Sequence, residues 1–334
     1  MYEDVSLSQS PERFTPNEVC CFNVRTAQDP DEHARNLTGW KQQYDQLSRG
    51  QFLGSLAELR LEKMQVFKET TSHTVRQSCE IPKNSVWFGI PNSTENSFID
   101  RNRITNDMIA LRPDSDEFKL LTPDSFEILG VVVEKDVLVR YACEMEHVDL
   151  DPALSRGEVL CIGLNYKDDL CRLILQVLAE SQRNKALLLH AASRNALRDA
   201  LQARLLGLFS QQVKPDRMTT LNTNHYRVVA GIRDYIIANR DHAITVPDLC
   251  RQFWVSRRTL QYCFQEVLGM SPAAYLRTIR LNGARRDLRN AGSCHATVQD
   301  IAAAWGFWHL SQFASDYKDL FGELPSASLR ARSL

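Results

Sequence analysis

Thr245-Val246-Pro247-Asp248-Leu249-Cys250 returns 52 residues later as Thr297-Val298-Gln299-Asp300-Ile301-Ala302. After a one-residue insertion the match resumes: Leu260 aligns with Phe313, Phe264 with Tyr317, Leu268 with Phe321, Gly269 with Gly322 and Pro272 with Pro325. Both copies read the same way. Thr245 and Thr297 suit a helix N-cap, with Asp248 and Asp300 three residues on, where a capping box has Glu or Gln. Pro247 fits the first helical turn, where a missing N–H costs little. A small residue, Cys250 or Ala302, marks where a second helix must approach. A tight break follows, Phe253-Trp254-Val255-Ser256 or Trp305-Gly306-Phe307, and a second helix then runs to Gly269 or Gly322, each suited to a left-handed C′ position. Short helix, tight turn and second helix make the helix-turn-helix plan. Tandem helical hairpins also occur in scaffolds that never meet DNA, but these two are joined by an expected helix over 272–289 carrying Arg277, Arg280, Arg285, Arg286 and Arg289.

The second helix of each copy has a face to spare. In copy one, Leu260, Cys263, Phe264 and Val267 form the stripe expected to be buried, which leaves Arg257, Arg258, Gln261 and Tyr262 outward. Arg can make two hydrogen bonds to guanine and Gln two to adenine. In copy two, Phe313, Tyr317 and Leu320 are the expected core, and His309, Leu310, Ser311, Gln312 and Ser315 face out. This set is less charged, so copy two is expected to rely more on thymine methyls and on DNA shape. Ser256, Arg280, Arg285, Arg286 and Lys318 are the candidates for phosphate contacts.

Charge supports the same division. Residues 222–334 hold 14 Lys and Arg against 9 Asp and Glu, a balance of +5, and the remainder holds 26 against 32, a balance of −6. A basic module joined to an acidic one is what a nucleic-acid binder with a second function would show.

In front of the repeat, residues 1–35 are polar with three prolines and are expected to be a frayed tail. Residues 37–47 have helical spacing, with Leu37, Trp40, Tyr44 and Leu47 on one face. From 51 to 142 the pattern changes to short strand-like runs at 56–61, 64–67, 86–90, 108–111, 118–121 and 126–133, separated by turn clusters such as Pro82-Lys83-Asn84 and Pro123-Asp124-Ser125. That predicts an antiparallel barrel or sandwich. Helical spacing returns at 170–178 and 186–209, where Leu187, Leu188, Ala191, Leu197, Leu201, Leu205 and Leu208 form a stripe that suits either core or the face of a homodimer. Residues 211–224 read as a linker and 226–238 as an amphipathic helix. The expected organisation is therefore α+β: a tail at 1–35, a sensing and dimerisation domain at 36–210 (β-rich 51–142, helical 153–210), a linker at 211–224 and a DNA-binding domain at 225–334.

The chain has 334 residues, 43% hydrophobic and 24% charged, which is ordinary for a globular protein and excludes a collagen, a coiled-coil rod or a wholly disordered chain. Its apolar runs are too short for a membrane span, and the acidic start lacks a signal-peptide pattern. The nine cysteines have no C-x-x-C pair and read as reduced thiols of a cytoplasmic protein. No metal site and no catalytic residue is expected: His33, His73, His147 and His190 lack H-x-H spacing, and no Gly-rich phosphate loop, H-E-x-x-H or G-x-S-x-G occurs. The front domain thus reads as a sensor rather than an enzyme. Trp40, Trp87 and Phe88 are candidates for a ligand pocket, with core aromatics as the alternative reading.

Residues 246–325 resemble the DNA-binding domain of the AraC/XylS family of bacterial transcription regulators. The likeness rests on Ser256, Leu260, Phe264, Gly269, Ser271-Pro272, Tyr275-Leu276, Arg280-Leu281, Ala284-Arg285, Ile301-Ala302, Gly306-Phe307, Phe313, Tyr317-Lys318, Phe321-Gly322 and Pro325. It implies seven helices with two helix-turn-helix units, double-stranded operator DNA as ligand, and RNA polymerase as the partner in activation. Where many members have Ser or Asp, this chain has Trp308 and His309. A finer likeness is to the branch of that family that regulates ethanolamine-utilisation operons. It rests on Trp305-Gly306-Phe307-Trp308-His309-Leu310, Gln312-Phe313-Ala314, 255–261, 279–282 and, in the front half, on 40–47, Gln65-Val66-Phe67, Arg76-Gln77-Ser78-Cys79 and 87–91. This likeness implies ethanolamine and adenosylcobalamin as effectors. The alternatives are a regulator of the same family for another small metabolite, or an architectural DNA binder whose front domain only dimerises.

Overall fold

The computed structural model describes residues 20–92, 97–100, 102–114, 117–210, 221–239, 244–291 and 296–331. The front half is built from antiparallel strands, as the alternation of apolar and polar residues requires. In chain order it contains β1 (Cys21–Ala27), α1 (Pro30–Ala34), β2 (Lys41–Gln46), β3 (Gly54–Leu61), β4 (Met64–Thr71), β5 (Val75–Glu80), β6 (Ser85–Pro91), β7 (Ser97–Ile99), β8 (Asn102–Ile104), β9 (Met108–Pro113), β10 (Phe118–Thr122) and β11 (Phe126–Glu134). Then come α2 (Lys135–Glu146), α3 (Asp151–Leu154), β12 (Glu158–Cys161), α4 (Leu164–Arg183), a 3-10 turn (Lys185–Leu189) and α5 (Ala191–Ser210). The strands make a seven-stranded sheet in the order β1-β3-β4-β11-β6-β9-β12 and a five-stranded sheet in the order β2-β5-β10-β7-β8.

Alternation along the central strands separates two cores. One face of the seven-stranded sheet (Phe88, Ile90, Val131, Val133) packs on α2, α4 and α5. The other (Phe67, Trp87, Val132) meets the inner face of the five-stranded sheet (Cys79, Phe118, Leu120). The outer face of the five-stranded sheet turns to the helical half, where Leu47 and Leu121 join that half's first core.

Among the described residues the helical half has seven helices: α6 (Leu221–Ala238), α7 (Val246–Gln252), α8 (Arg257–Leu268), α9 (Pro272–Asn290), α10 (Val298–Ala304), α11 (Leu310–Phe321) and α12 (Pro325–Arg330). The protein is α+β.

Two expectations are corrected and two more are placed. Residues 20–35 are not a tail: they form β1 and α1, and Asp29 and His33 are buried. Their polarity misled because their partners are distant in sequence, Arg285 for Asp29 and Glu69 for His33. Within 37–47, residues 41–46 form β2 instead of a helix, because pairing with β5 overrides the 3.6-residue spacing: Gln42 and Tyr44 meet groups between the two sheets, while Asp45 meets arginines of the helical half. The stripe at Leu188, Leu201, Leu205 and Leu208 is core against the seven-stranded sheet. The ten residues 211–220 of the expected linker lie outside the described residues, and 221–224 begin α6.

Candidate nucleic-acid interface

Both helix-turn-helix units are capped as their sequences require. Thr245 N–H donates to Asp248 at 2.9 Å, and Thr297 N–H to Asp300 at 2.9 Å. The hydroxyl and amide hydrogen bonds from Thr245 hold the Asp248 carboxyl down to about 2. Gly269 (φ 66°) and Gly322 (φ 74°) close α8 and α11 in the left-handed conformation. In the turns, copy one places Trp254 (φ 52°) where copy two has Gly306 (φ 77°).

The second helices present the expected faces. Leu260, Cys263, Phe264 and Val267 are buried in copy one, and Arg257, Arg258, Gln261 and Tyr262 are exposed. In copy two, Phe313, Tyr317 and Leu320 are buried, and Leu310, Ser311, Gln312 and Ser315 are exposed. Three side chains have local work that sequence spacing did not reveal. His309 is the N-cap of α11, its Nδ1 accepting from Gln312 N–H at 3.3 Å. The Gln312 amide donates to Asp316 at 2.9 Å, and Asp316 is paired with Arg277 of α9 at 3.1 Å. Ser256 Oγ caps α8 by accepting from Thr259 N–H at 3.0 Å. Lys318 is exposed on the last turn of α11.

Two of the three phosphate candidates on α9, Arg285 and Arg286, are corrected. Arg285 is only 2% exposed; it binds Asp29 of the front half at 2.7 Å and Glu323 at 3.0 Å. Arg286 binds Asp31 at 3.0 Å and also pairs with Asp45. Arg280 donates to the Ile244 carbonyl at 2.7 Å. The Arg285 and Arg286 guanidinium groups hold the two halves together, because front-half carboxylates reach them first, whereas Arg280 is half-buried and lines the cleft between the two helix-turn-helix units.

Sequence spacing missed this interdomain polar seam. Asp45 pairs with Arg233 of α6 at 3.1 Å and with Arg286 of α9. Asn282 bonds the main chain of Gln46 in both directions, at 2.9 and 3.0 Å. The Gln46 amide reaches the Leu320 carbonyl at 2.8 Å, and Arg76 donates to Tyr275 Oη at 3.0 Å. Burial by itself raises the carboxyl pKa of Asp45 and Asp29, but the facing arginines outweigh it and hold both below the usual range. The available signal was Asp45 within a buried-looking run, a charge that needs a partner.

The ligand candidates are divided. Trp87 and Phe88 are neighbours on β6, so they point to opposite faces of the sheet and cannot line one pocket. Phe88 is core against the helices. Trp87 stacks on Phe118 at 4.8 Å inside the barrel, with Trp40 edge-on to it at 5.7 Å. Trp40 Nε1–H donates to Gln65, whose own amide donates to the buried Glu58. Nearby in this interior, Tyr44 Oη donates to Glu69 at 2.7 Å. Among the described residues no group of three His, Cys, Asp or Glu side chains is placed to hold a metal ion, and no helix is long and apolar enough to cross a membrane.

A family model described as a helix-turn-helix domain matches residues 249–331. The chain is 42% identical over 97 residues to the probable thc operon regulatory protein of Rhodococcus erythropolis, covering 29% of either chain. It is 30% identical over 129 residues to XylDLEGF operon transcriptional activator 2 of Pseudomonas putida, covering 39% of this chain and 80% of that one. Against a solved probable AraC family transcriptional regulator from Rhodopseudomonas palustris it is 38% identical, covering 32% of this chain and 99% of that chain, with a TM-score of 0.30. The chain spans only 29% and 39% of the length of the first curated relatives it matches. The stretch that the family model matches carries both second helices, the second capping box and both glycine stops, and with the 30% identity over 80% of the Pseudomonas putida activator the chain belongs to the AraC/XylS family of helix-turn-helix transcription regulators.

Proposed function

We propose that the protein is a cytoplasmic, ligand-responsive transcription activator that binds operator DNA through α8 and α11 and works on RNA polymerase. The observation that carries this reading is the pair of capped second helices, each buried on one face and exposed on the other. Two reading helices on one chain enter successive major grooves about 34 Å apart. Footprinting with the full chain on DNA selected from a random pool tests it. Two protected segments one turn apart support the reading, and one segment alone would reduce copy two to a scaffold.

For the effector we propose ethanolamine, acting with adenosylcobalamin on the operon for ethanolamine utilisation. The front-half residues that carry that finer likeness include Trp40, Gln65, Phe67 and Trp87, whose side chains meet in the barrel interior. Aromatic faces and the buried carboxylates Glu58 and Glu69 attract an ammonium group. Trp87 Nε1–H is buried without a hydrogen-bond partner among the described residues, a donor that an amino-alcohol oxygen would satisfy. Adenosylcobalamin is far larger and would engage the domain interface rather than this interior. A ligand that binds only the folded chain raises its melting temperature in a concentration-dependent way. Failure of both compounds to do so, with operator DNA present, would leave the family assignment without this effector. We also propose that the chain forms a homodimer; cross-linking of the full chain that yields only monomer would remove it.

A further inference from the structure

The surface of copy two carries a side chain that neither capping nor core packing explains. Trp308 is 91% exposed. It is the residue by which copy two exceeds copy one: Phe307 answers Val255 and the N-cap His309 answers Ser256, leaving Trp308 between them. The residues around it are anchored. Phe307 N–H bonds the Ala302 carbonyl at 2.9 Å, and its ring packs on Phe313 at 4.9 Å. His309 is held by capping α11. The only ring contact of Trp308 among the described residues is the edge of His309, at 5.4 Å. An indole this exposed is free to meet a partner, and Trp, apolar in body with one N–H donor, is enriched at interfaces.

Its position selects the partner. Trp308 and Gln312 line the same cleft, of about 510 Å³, between the two helix-turn-helix units. The indole therefore lies on the side from which the base-reading candidate Gln312 projects. At the first turn of the reading helix, copy one presents Arg257 and Arg258, while copy two presents Leu310 and Ser311 at the equivalent positions. Copy two thus lacks the donors that read guanine and has an apolar plate at the rim of the groove instead. The exposed pattern of the thymine edge that suits such a plate is its C5-methyl group.

We propose that Trp308 is a specificity-determining residue of the second reading helix, packing its indole on a thymine methyl group in the second major groove. This rests on the DNA-binding reading above. The test uses the full chain and a duplex it selects from a random pool. Each thymine of the second protected segment is replaced in turn by uracil, which removes only the methyl. One such replacement weakens the wild-type protein about fourfold, the weight of one buried methyl group. Trp308→Ala binds the unsubstituted duplex about tenfold more weakly and is indifferent to that uracil. Trp254→Ala, which removes the equally exposed indole of copy one, keeps the uracil sensitivity of the wild type. An unchanged melting temperature of Trp308→Ala shows that the fold is intact. Wild-type binding that ignores every uracil, or Trp308→Ala that binds like wild type, overturns the proposal. The latter result with lost activation of purified RNA polymerase would assign Trp308 to a polymerase contact instead. If the chain selects no duplex at all, the DNA-binding reading itself falls, and Trp308's role with it.

Discussion

The two helix-turn-helix units share their caps and stops but differ in whether an apolar core joins them to the front half. Copy one shares an apolar core with α6, and Leu47 and Leu121 of the front half are part of it; Phe98 stacks on Tyr226 at 5.6 Å. The core of copy two contains no front-half residue. That copy and the connecting α9 are tied to the front half by charges and hydrogen bonds: Asp29 to Arg285 and Arg289, Asp31 and Asp45 to Arg286, and Gln46 to Leu320. Apolar contact is non-directional and tolerates small slips, whereas buried charge pairs hold only in one geometry and fail when one partner is lost. Copy one is thus held by an apolar contact beside the polar links of Asp45 to Arg233 and Arg76 to Tyr275, and copy two strictly, by polar links without a shared apolar core.

The largest expected effect comes from cutting the strict side. Asp45→Ala leaves Arg233 and Arg286 short of a buried carboxylate and should cost about 3–5 kcal/mol in denaturant unfolding. A loss below about 1 kcal/mol would show that this pair behaves like a surface bridge. Acid should act in the same direction. Asp29 and Asp45 are held below their unfolded values, so their contribution is complete above about pH 4 and is lost as the pH falls below it. Hydrogen exchange should then show α10–α12 losing protection before α7 and α8. Simultaneous loss would make the two attachments equivalent.

A smaller effect separates reading from holding. Arg258→Ala should cost about 1–3 kcal/mol on the selected duplex and relax preference at one base pair. Arg286→Ala should lower the melting temperature but leave the salt slope of DNA binding nearly unchanged, because its guanidinium is committed to Asp31 and Asp45. Equal losses for Arg258→Ala on selected and scrambled DNA would remove it from the reading set.

The stops give a matched pair of tests. At Gly269 an added Cβ meets open space, so Gly269→Ala should cost only the left-handed backbone penalty, about 1–2 kcal/mol. At Gly322 that Cβ would come within 3.2 Å of the Gln51 main chain of the front half, so Gly322→Ala should cost more. Thermal melts of the two variants rank them, and equal costs would mean that the front half yields there. The smallest effect concerns the caps: His309→Ala and Ser256→Ala should each cost about 1 kcal/mol. A neutral His309→Ala would leave its ring free for the groove.

Much of the helical half was legible in the sequence because its signals are local. A Thr three residues before an Asp, a Gly after an apolar stripe and a repeat of both are decided within one or two turns of chain, and Arg257, Arg258, Gln261 and Gln312 appear on the surface where their spacing puts them. Six of the strands between 54 and 134 were legible as short apolar runs, but β5, β7 and β8 were not, and β2 was not because the 3.6 spacing of Leu37, Trp40, Tyr44 and Leu47 is local while the pairing with β5 that overrides it is not. Side-chain pairing was least visible of all. Five arginines on one helix look alike in sequence; Asp29 and Asp45, more than 200 residues away, divide those that hold the protein together from Arg277, which pairs with Asp316 beside the second reading helix. By itself the sequence determined the two reading units, their caps and the basic and acidic halves, since these depend on neighbours along the chain. Tertiary structure alone decided which charges are buried, which face of β6 each aromatic takes and which exposed indole stands beside Gln312, because burial and partnership are set by segments that meet only when the chain has folded.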